Sequence, residues 1–199
     1  MIAGVLLAAG RSERMGQPKQ LLGWHGTPLV RHTALIALES QLDELVVVVG
    51  HAAERVQAVL ADLPLRIVVN EAFAAGQSTS LAIGISALAP HVNGAVVLLA
   101  DHPLLQPATV NTLLETYAQT AALMVVPRFR GQRGNPVLFA RSMFAELQAV
   151  QGDQGARALF TRYAQQVQWV DVADEGTLLD VDTPVMYQEL LDRQGAGQK

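Results

Sequence analysis

Between residues 8 and 19 the chain reads Ala8-Ala9-Gly10-Arg11-Ser12-Glu13-Arg14-Met15-Gly16-Gln17-Pro18-Lys19. Small residues and glycines let a backbone come close to a ligand and aim its N–H groups at phosphate oxygens. Arg11, Arg14 and Lys19 add three cations to the same short stretch. Such a loop suits a polyphosphate. It is not a Walker loop, because GxxxxGK followed by Ser or Thr occurs nowhere. It is not a dinucleotide fingerprint either, because Gly10 and Gly16 do not complete G-x-G-x-x-G. Those absences argue against a P-loop kinase and a nicotinamide dehydrogenase.

Three further stretches carry groups with chemistry. Leu98-Leu99-Ala100-Asp101-His102-Pro103 ends an apolar run on a carboxylate that could hold a divalent ion across phosphate oxygens. His102 reads as a hydrogen-bonding neighbour rather than a ligand. In Gly76-Gln77-Ser78-Thr79-Ser80 the hydroxyls either cap a helix starting near Thr79 or, through Ser80, contact a base beside the phosphate loop. Asp182, in Leu179-Asp180-Val181-Asp182-Thr183-Pro184, either completes a metal site opposite Asp101 or caps the helix that begins at Pro184. Between these, Gly134 and Asn135 would permit close approach and hydrogen bonding to a polar heterocycle. Asp153 and Arg157 either pair as i, i+4 neighbours or contact an acceptor.

The elements that must position these groups follow from hydrophobic spacing. Short aliphatic runs at Ile2 to Ala8, Leu45 to Val49, Arg66 to Val69, Ala95 to Ala100 and Leu123 to Pro127 alternate with helical patterns. The helices are expected at about Pro28 to Ser40, Ala52 to Leu60, Thr79 to Leu88, Pro107 to Thr120, Arg141 to Val150, Ala156 to Ala164 and Pro184 to Arg193. This predicts an α/β fold of three layers, a doubly wound and mostly parallel sheet covered by helices on both faces. Ligands then bind at the carboxyl ends of the strands, where the loop and Asp101 fall. Phe129 to Asp182 breaks the alternation and is expected to form an elaboration over that edge, an acceptor-binding lid. The division is thus one domain over 1–193, with a nucleotide-binding part at about 1–127, the acceptor-binding elaboration at about 128–182, and a frayed tail at 194–199.

Half of the 199 residues are hydrophobic and 16% are charged, enough for a substantial single core. A formal net charge of −4 offers no global field for a nucleic-acid backbone, so no nucleic-acid partner is expected. Absence of cysteine excludes disulfides, a thiolate nucleophile and a Cys-ligated zinc, leaving O and N ligands for any metal. The opening run imitates a signal peptide but lacks its basic start, and reads as a buried strand. No stretch approaches the roughly 20 apolar residues that cross a bilayer. A cytoplasmic protein with no membrane partner is expected.

LAAGRSERMGQPKQLL resembles the signature of the MobA-like nucleotidyltransferases, and the resemblance extends over nearly the whole chain. It implies their Rossmann-like nucleotidyltransferase fold. It further implies that Ala8, Ala9, Gly10, Arg11, Gly16, Lys19, Gly76 and Ser80 bind the nucleotide, that Lys19 supports the reacting α-phosphate, and that Asp101 holds Mg²⁺, with Mn²⁺ as a substitute. The segments containing Arg133 to Phe139, Gly152 to Arg157 and Leu179 to Pro184 look like the molybdenum-cofactor cytidylyltransferase, MocA-like, branch. Leu-Ala-Ala-Gly in place of Leu-Ala-Gly-Gly at the first strand end also favours CTP over GTP by resemblance. The implied reaction joins CMP to molybdenum-loaded molybdopterin. Lys19, Arg11, Arg14 and Asp101 would be catalytic, the two arginines interchangeable in holding the departing pyrophosphate. Gly134, Asn135, Asp153 and Arg157 would bind the acceptor, and an apo-molybdoenzyme or its chaperone would be a further partner. The alternatives are a guanylyltransferase, a nucleotidyltransferase for another phosphorylated metabolite, or a carrier that holds a pterin without chemistry.

Overall fold

The computed structural model describes residues 1–152 and 155–196. The chain opens with β1 (Ile2–Ala8), then a small hairpin of β2 (Gly23–Trp24) and β3 (Thr27–Pro28) leading into α1 (Leu29–Leu38). β4 (Glu44–Val49), α2 (Ala53–Leu60), β5 (Arg66–Val69) and α3 (Gln77–Ser86) follow. Next come β6 (Gly94–Leu99), α4 (Pro107–Thr120) and β7 (Met124–Phe129). The remainder supplies β8 (Gln132–Arg133), β9 (Val137–Ala140), α5 (Phe144–Ala149), α6 (Arg157–Arg162), β10 (Val167–Asp171) and α7 (Pro184–Ala196). All five expected strands and all seven helical regions form, with ends shifted by up to three residues. The Arg141 to Val150 region splits into a 3-10 turn and α5. Helix α7 runs through Ala196, past the boundary expected at Arg193.

The main sheet has the order β10-β7-β9-β6-β1-β4-β5, with β8 paired to β7. β1 lies centrally, parallel to both β4 and β6. Its side chains alternate between two cores: Val5 and Leu7 face one with Leu81 and Ile85, and Leu6 and Ala8 face the other with Ile36, Val56 and Val110. Both faces are covered, which is why the strands read as unbroken apolar runs. Helix α3 lies close to the sheet because Gly84 has no side chain. A Cβ there would meet Val5 at 2.5 Å.

Part of the segment expected as an elaboration over that edge joins the sheet, as β8, β9 and β10. β9 runs antiparallel between β6 and β7, and all four of its residues are buried. An apolar run buried on both faces needs partners on both sides, and the gap between two parallel strands provides them. β10 then pairs parallel with β7 and forms an edge strand. No helix among the described residues is long and apolar enough to cross a membrane.

Candidate active site

β1 and β6 run side by side with Leu7 opposite Leu99, and the Ala100 N–H donates to the Leu7 carbonyl at 3.1 Å. The two chain segments that leave these strands, the loop after Ala8 and the turn at Asp101, therefore start next to each other. Between them and the N-terminus of α3 opens a cleft of about 410 Å³. Ala8, Ala9, Gly10, Arg11, Arg14, Lys19, Gly76, Ser80, Asp101 and Asp182 all line it. Gly16 does not. It ends a 3-10 turn with φ +67, so its glycine is explained by a left-handed backbone rather than by ligand approach. Gly10 is the opposite case. A Cβ there would meet only Gln20 Nε2 at 3.9 Å, so packing within the protein does not require glycine and the space faces the cleft.

A third apolar cluster pins the site together. Met15 of the loop packs with Leu22, Trp24, Leu29, Val181 and Leu190. Burial of Val181, whose N–H donates to the Asp101 carbonyl at 2.8 Å, turns its neighbours Asp180 and Asp182 to the other side of an extended segment. Carboxylate oxygens of Asp101, Asp180 and Asp182 thereby come within 4.8 Å of one another. Asp180 joins the expected pair of Asp101 and Asp182, and the Asp-Val-Asp spacing around an apolar residue is the signal for it. The capping alternative for Asp182 is not realised, because Thr183 Oγ1 accepts the Met186 N–H at 3.2 Å and serves as the cap of α7.

Lys19 sits among these acids. Its Nζ lies 2.5 Å from Asp101 Oδ2 and 2.9 Å from Asp182 Oδ1, and Arg14 bonds the other oxygen of Asp182 at 2.9 Å. Burial by itself would lower the Lys19 pKa, but Asp101 and then Asp182 outweigh it and raise the value above the ordinary one. Burial would likewise push Asp182 up, yet its contacts with Lys19 and Arg14 hold its carboxyl below the usual range. Its pairing thus stabilises the fold fully above the unfolded carboxylate pKa near ~4, and the contribution is lost as pH falls through the lower folded value. Asp180 shifts the other way, pushed up by burial and then by Asp182 and Asp101. Asp101 Oδ1 is buried without a hydrogen-bond partner. An orphaned carboxylate oxygen within a cluster of three acids is a donor set of hard oxygens, and it fits a divalent cation. Arg11 pairs with Glu13 at 3.1 Å, both side chains exposed at the edge of the cleft.

Gln20 is a positioning residue that sequence reasoning missed. It is 2% exposed, and its Nε2 donates to the carbonyls of Gly10 at 2.7 Å and Ala8 at 3.2 Å. Ser12 Oγ donates to Gln20 Oε1 at 3.3 Å and accepts the Lys19 N–H at 3.0 Å. One amide therefore ties the beginning of the loop to its end. Nothing in the local pattern distinguishes a buried glutamine from an exposed one. Gln20→Leu removes the side-chain donor from the buried Ala8 carbonyl and the part-buried Gly10 carbonyl. It is expected to cost about 2 kcal/mol of stability and to raise KM for the nucleotide, as measured by denaturant melts and initial rates.

On the opposite wall, fully buried Asn70 donates to Thr79 Oγ1 at 2.8 Å and Ser80 Oγ at 2.9 Å, and accepts the Ala72 N–H at 3.0 Å. Ser80 is thereby oriented at the cleft wall. Thr79 Oγ1 donates to the Gly76 carbonyl at 2.8 Å, and no side chain caps α3, so the capping role considered for these hydroxyls is not realised. The positive end of α3 points at the cleft, which favours an anion.

The expected acceptor residues divide. Asn135 and Arg157 line a recess of about 100 Å³ that shares Leu7, Gln77 and Leu99 with the main cleft. Gly134 does not line it; a Cβ there would meet Thr177 Cβ at 2.6 Å, so the close approach is to the protein's own chain. Asp153 lies outside the described residues. His102 is buried, with Nδ1 3.2 Å from the Gly176 carbonyl, the hydrogen-bonding role expected of it.

A doubly wound sheet with a phosphate-type loop, a lysine and a strand-end aspartate at its carboxyl edge is the architecture of nucleotide transfer enzymes. The chain belongs to the family of MobA-like NTP transferase domains, which matches residues 4–169, and it is a nucleotidyltransferase. It is similar to nicotine blue oxidoreductase of Paenarthrobacter nicotinovorans, 36% identical over 198 residues and 96% of both chains. Purine catabolism protein PucB of Bacillus subtilis is 33% identical over 195 residues and 94% of both. Among solved structures, Rv0371c of Mycobacterium tuberculosis in complex with manganese has a TM-score of 0.83 and 34% identity, covering 96% of this chain and 98% of that one.

Proposed function

We propose that the protein is a cytoplasmic cytidylyltransferase that joins CMP from CTP to the terminal phosphate of molybdenum-loaded molybdopterin and releases pyrophosphate. The observation that carries the transfer chemistry is Lys19, held by Asp101 and Asp182 at the mouth of a cleft whose other walls are a phosphate-type loop and a helix N-terminus. The choice of CTP and of the pterin rests on resemblance, through Ala9 at the first strand end and the segments around Asn135, Arg157 and Asp182. Asp101 and Asp182, joined by Asp180, would hold Mg²⁺ or Mn²⁺, which supplies charge neutralisation to the phosphate oxygens when bound.

In the reaction an oxygen of the acceptor phosphate forms a bond to the α-phosphorus as the bond from that phosphorus to the β-phosphate bridging oxygen breaks. A phosphate monoester is already nucleophilic near neutral pH, so no side chain need remove a proton. The protein's work is alignment and charge. Lys19 turns from its carboxylates to the α-phosphate, and Arg11 and Arg14 receive the pyrophosphate at the rim. Gly10 and the other small residues admit the phosphates, while Ser80 bonds the base.

A redox reading has one observation in its favour, the name of the relative from Paenarthrobacter nicotinovorans. The missing dinucleotide fingerprint opposes it, and hydride transfer has no use for three clustered carboxylates around a lysine. Pyrophosphate release is the test, with Mg²⁺ and CTP, GTP, ATP or UTP, each with and without molybdenum-loaded molybdopterin, beside NADH and NADPH oxidation. Release with CTP and the pterin alone supports the proposal. Release with another donor refutes the cytidylyl assignment, and pterin binding without release points to a carrier.

A further inference from the structure

The recess beside the main cleft has a composition that ordinary packing does not explain. Two arginines, Arg133 from β8 and Arg157 from α6, line it together with apolar Val137 and Phe160. Among the described residues no carboxylate oxygen lies within 4.0 Å of either guanidinium. The Arg133 guanidinium instead lies 4.3 Å from the centre of the Phe160 ring, which is itself packed against Phe139. Arg157 is the first residue of its helix, where the macrodipole disfavours a cation. Burial of part of the side chain and then the neighbouring Arg157 pull the Arg133 pKa below its ordinary value.

Both arginines are solvent-exposed beside one recess, so the pair presents two forks of like charge to an anion entering it. Guanidinium forks match a phosphate's oxygens in pairs, and the Phe160 ring holds one fork in a set plane. At about 100 Å³ against about 410 Å³ for the main cleft, the recess has room for a terminal group rather than a nucleotide. Its shared walls, Leu7, Gln77 and Leu99, direct such a group towards the place where the loop would hold the α-phosphate.

We infer that Arg133 and Arg157 form a clamp for the phosphate monoester of the acceptor, with the apolar face around Phe160 taking the adjoining ring system. The assignment rests on the nucleotidyl-transfer reading for its purpose but not for its test. It makes Arg133 an acceptor residue beside Arg157.

The probe is 1-naphthyl phosphate, with 1-naphthol as the uncharged control. It is titrated into the full chain saturated with Mg²⁺ and α,β-methylene CTP. The expected result is saturable binding to the wild type, weakened roughly tenfold or more by either Arg133→Gln or Arg157→Gln, with naphthol indifferent to both. Arg133→Lys, which keeps the charge and loses the fork, should fall between. Affinity for α,β-methylene CTP and the melting temperature should stay at wild-type values, which separates loss of a ligand contact from loss of the fold. Equal binding by the variants, absence of binding to the wild type, or competition with the nucleotide would each overturn the clamp. Aryl phosphate binding through both arginines in a protein that releases no pyrophosphate from any NTP would retain the clamp and defeat the transfer reading. Turnover with an unaltered acceptor KM in both variants would do the reverse.

Discussion

Lys19→Ala should lower kcat by roughly a hundredfold or more and, in the same protein, tighten Mn²⁺ binding in the absence of nucleotide by roughly tenfold or more. The two effects have one origin. Lys19 Nζ lies 2.5 Å from Asp101 Oδ2 and 2.9 Å from Asp182 Oδ1, so the ammonium balances the charge that a divalent ion bound to these carboxylates would balance. A cation entering the cluster competes with Lys19 until the phosphates arrive to receive the lysine. Without the side chain the competition disappears and three carboxylates are left to the metal. Turnover suffers because no cation remains to meet charge developing at the α-phosphate. Steady-state rates and Mn²⁺ titration followed by electron paramagnetic resonance give the two readings. Unchanged turnover would remove the catalytic role, and weaker or unaltered Mn²⁺ affinity would show that Lys19 and the metal do not compete.

Asp101→Asn tests the other half of the pair. The amide keeps the shape of the side chain and removes the charge. Asp101 Oδ1, buried and lacking any hydrogen-bond partner, is the oxygen best explained by a cation. The expected result is a loss of roughly a hundredfold to a thousandfold in kcat together with Mn²⁺ affinity too weak to titrate. The fold should be little affected. Lys19 retains Asp182, and the substitution also relieves repulsion among the three acids, so the melting temperature should move by no more than about 4 °C, the shift that roughly 1 kcal/mol produces in a chain of this size. Activity with ordinary Mg²⁺ dependence would move the metal elsewhere. A large fall in melting temperature would instead give Asp101 a mainly structural role.

Much of this was readable along the chain because it is written at short range. A strand buried on both faces must be apolar throughout, and the run from Ile2 to Ala8 declares itself for that reason. Helix α4 announces its start, with Pro107 in its first turn. A loop of small residues and cations after a strand, and an acid at the end of another, name phosphate chemistry before any contact is known. Those signals brought Lys19, Asp101 and Asp182 to one cleft as expected.

Other features depend on which segments meet. Gln20, Asn70 and Arg133 look like ordinary polar residues, and become an anchor, an orienting amide and a recess wall only through partners far away in sequence. Gly134 is required by Thr177, not by a ligand, and the cap of α7 is Thr183 rather than Asp182. β9 could not be assigned its place between β6 and β7 from its own four residues, since an apolar run records burial but not its neighbours. The sequence by itself determined the layered α/β class, the loop and the chemistry of its charged residues, because periodicity and local residue type encode them. Tertiary structure alone decided the strand order, the addition of Asp180 to the acids and the meeting of Arg133 with Arg157, because these follow from long-range packing and register, which no local spacing specifies.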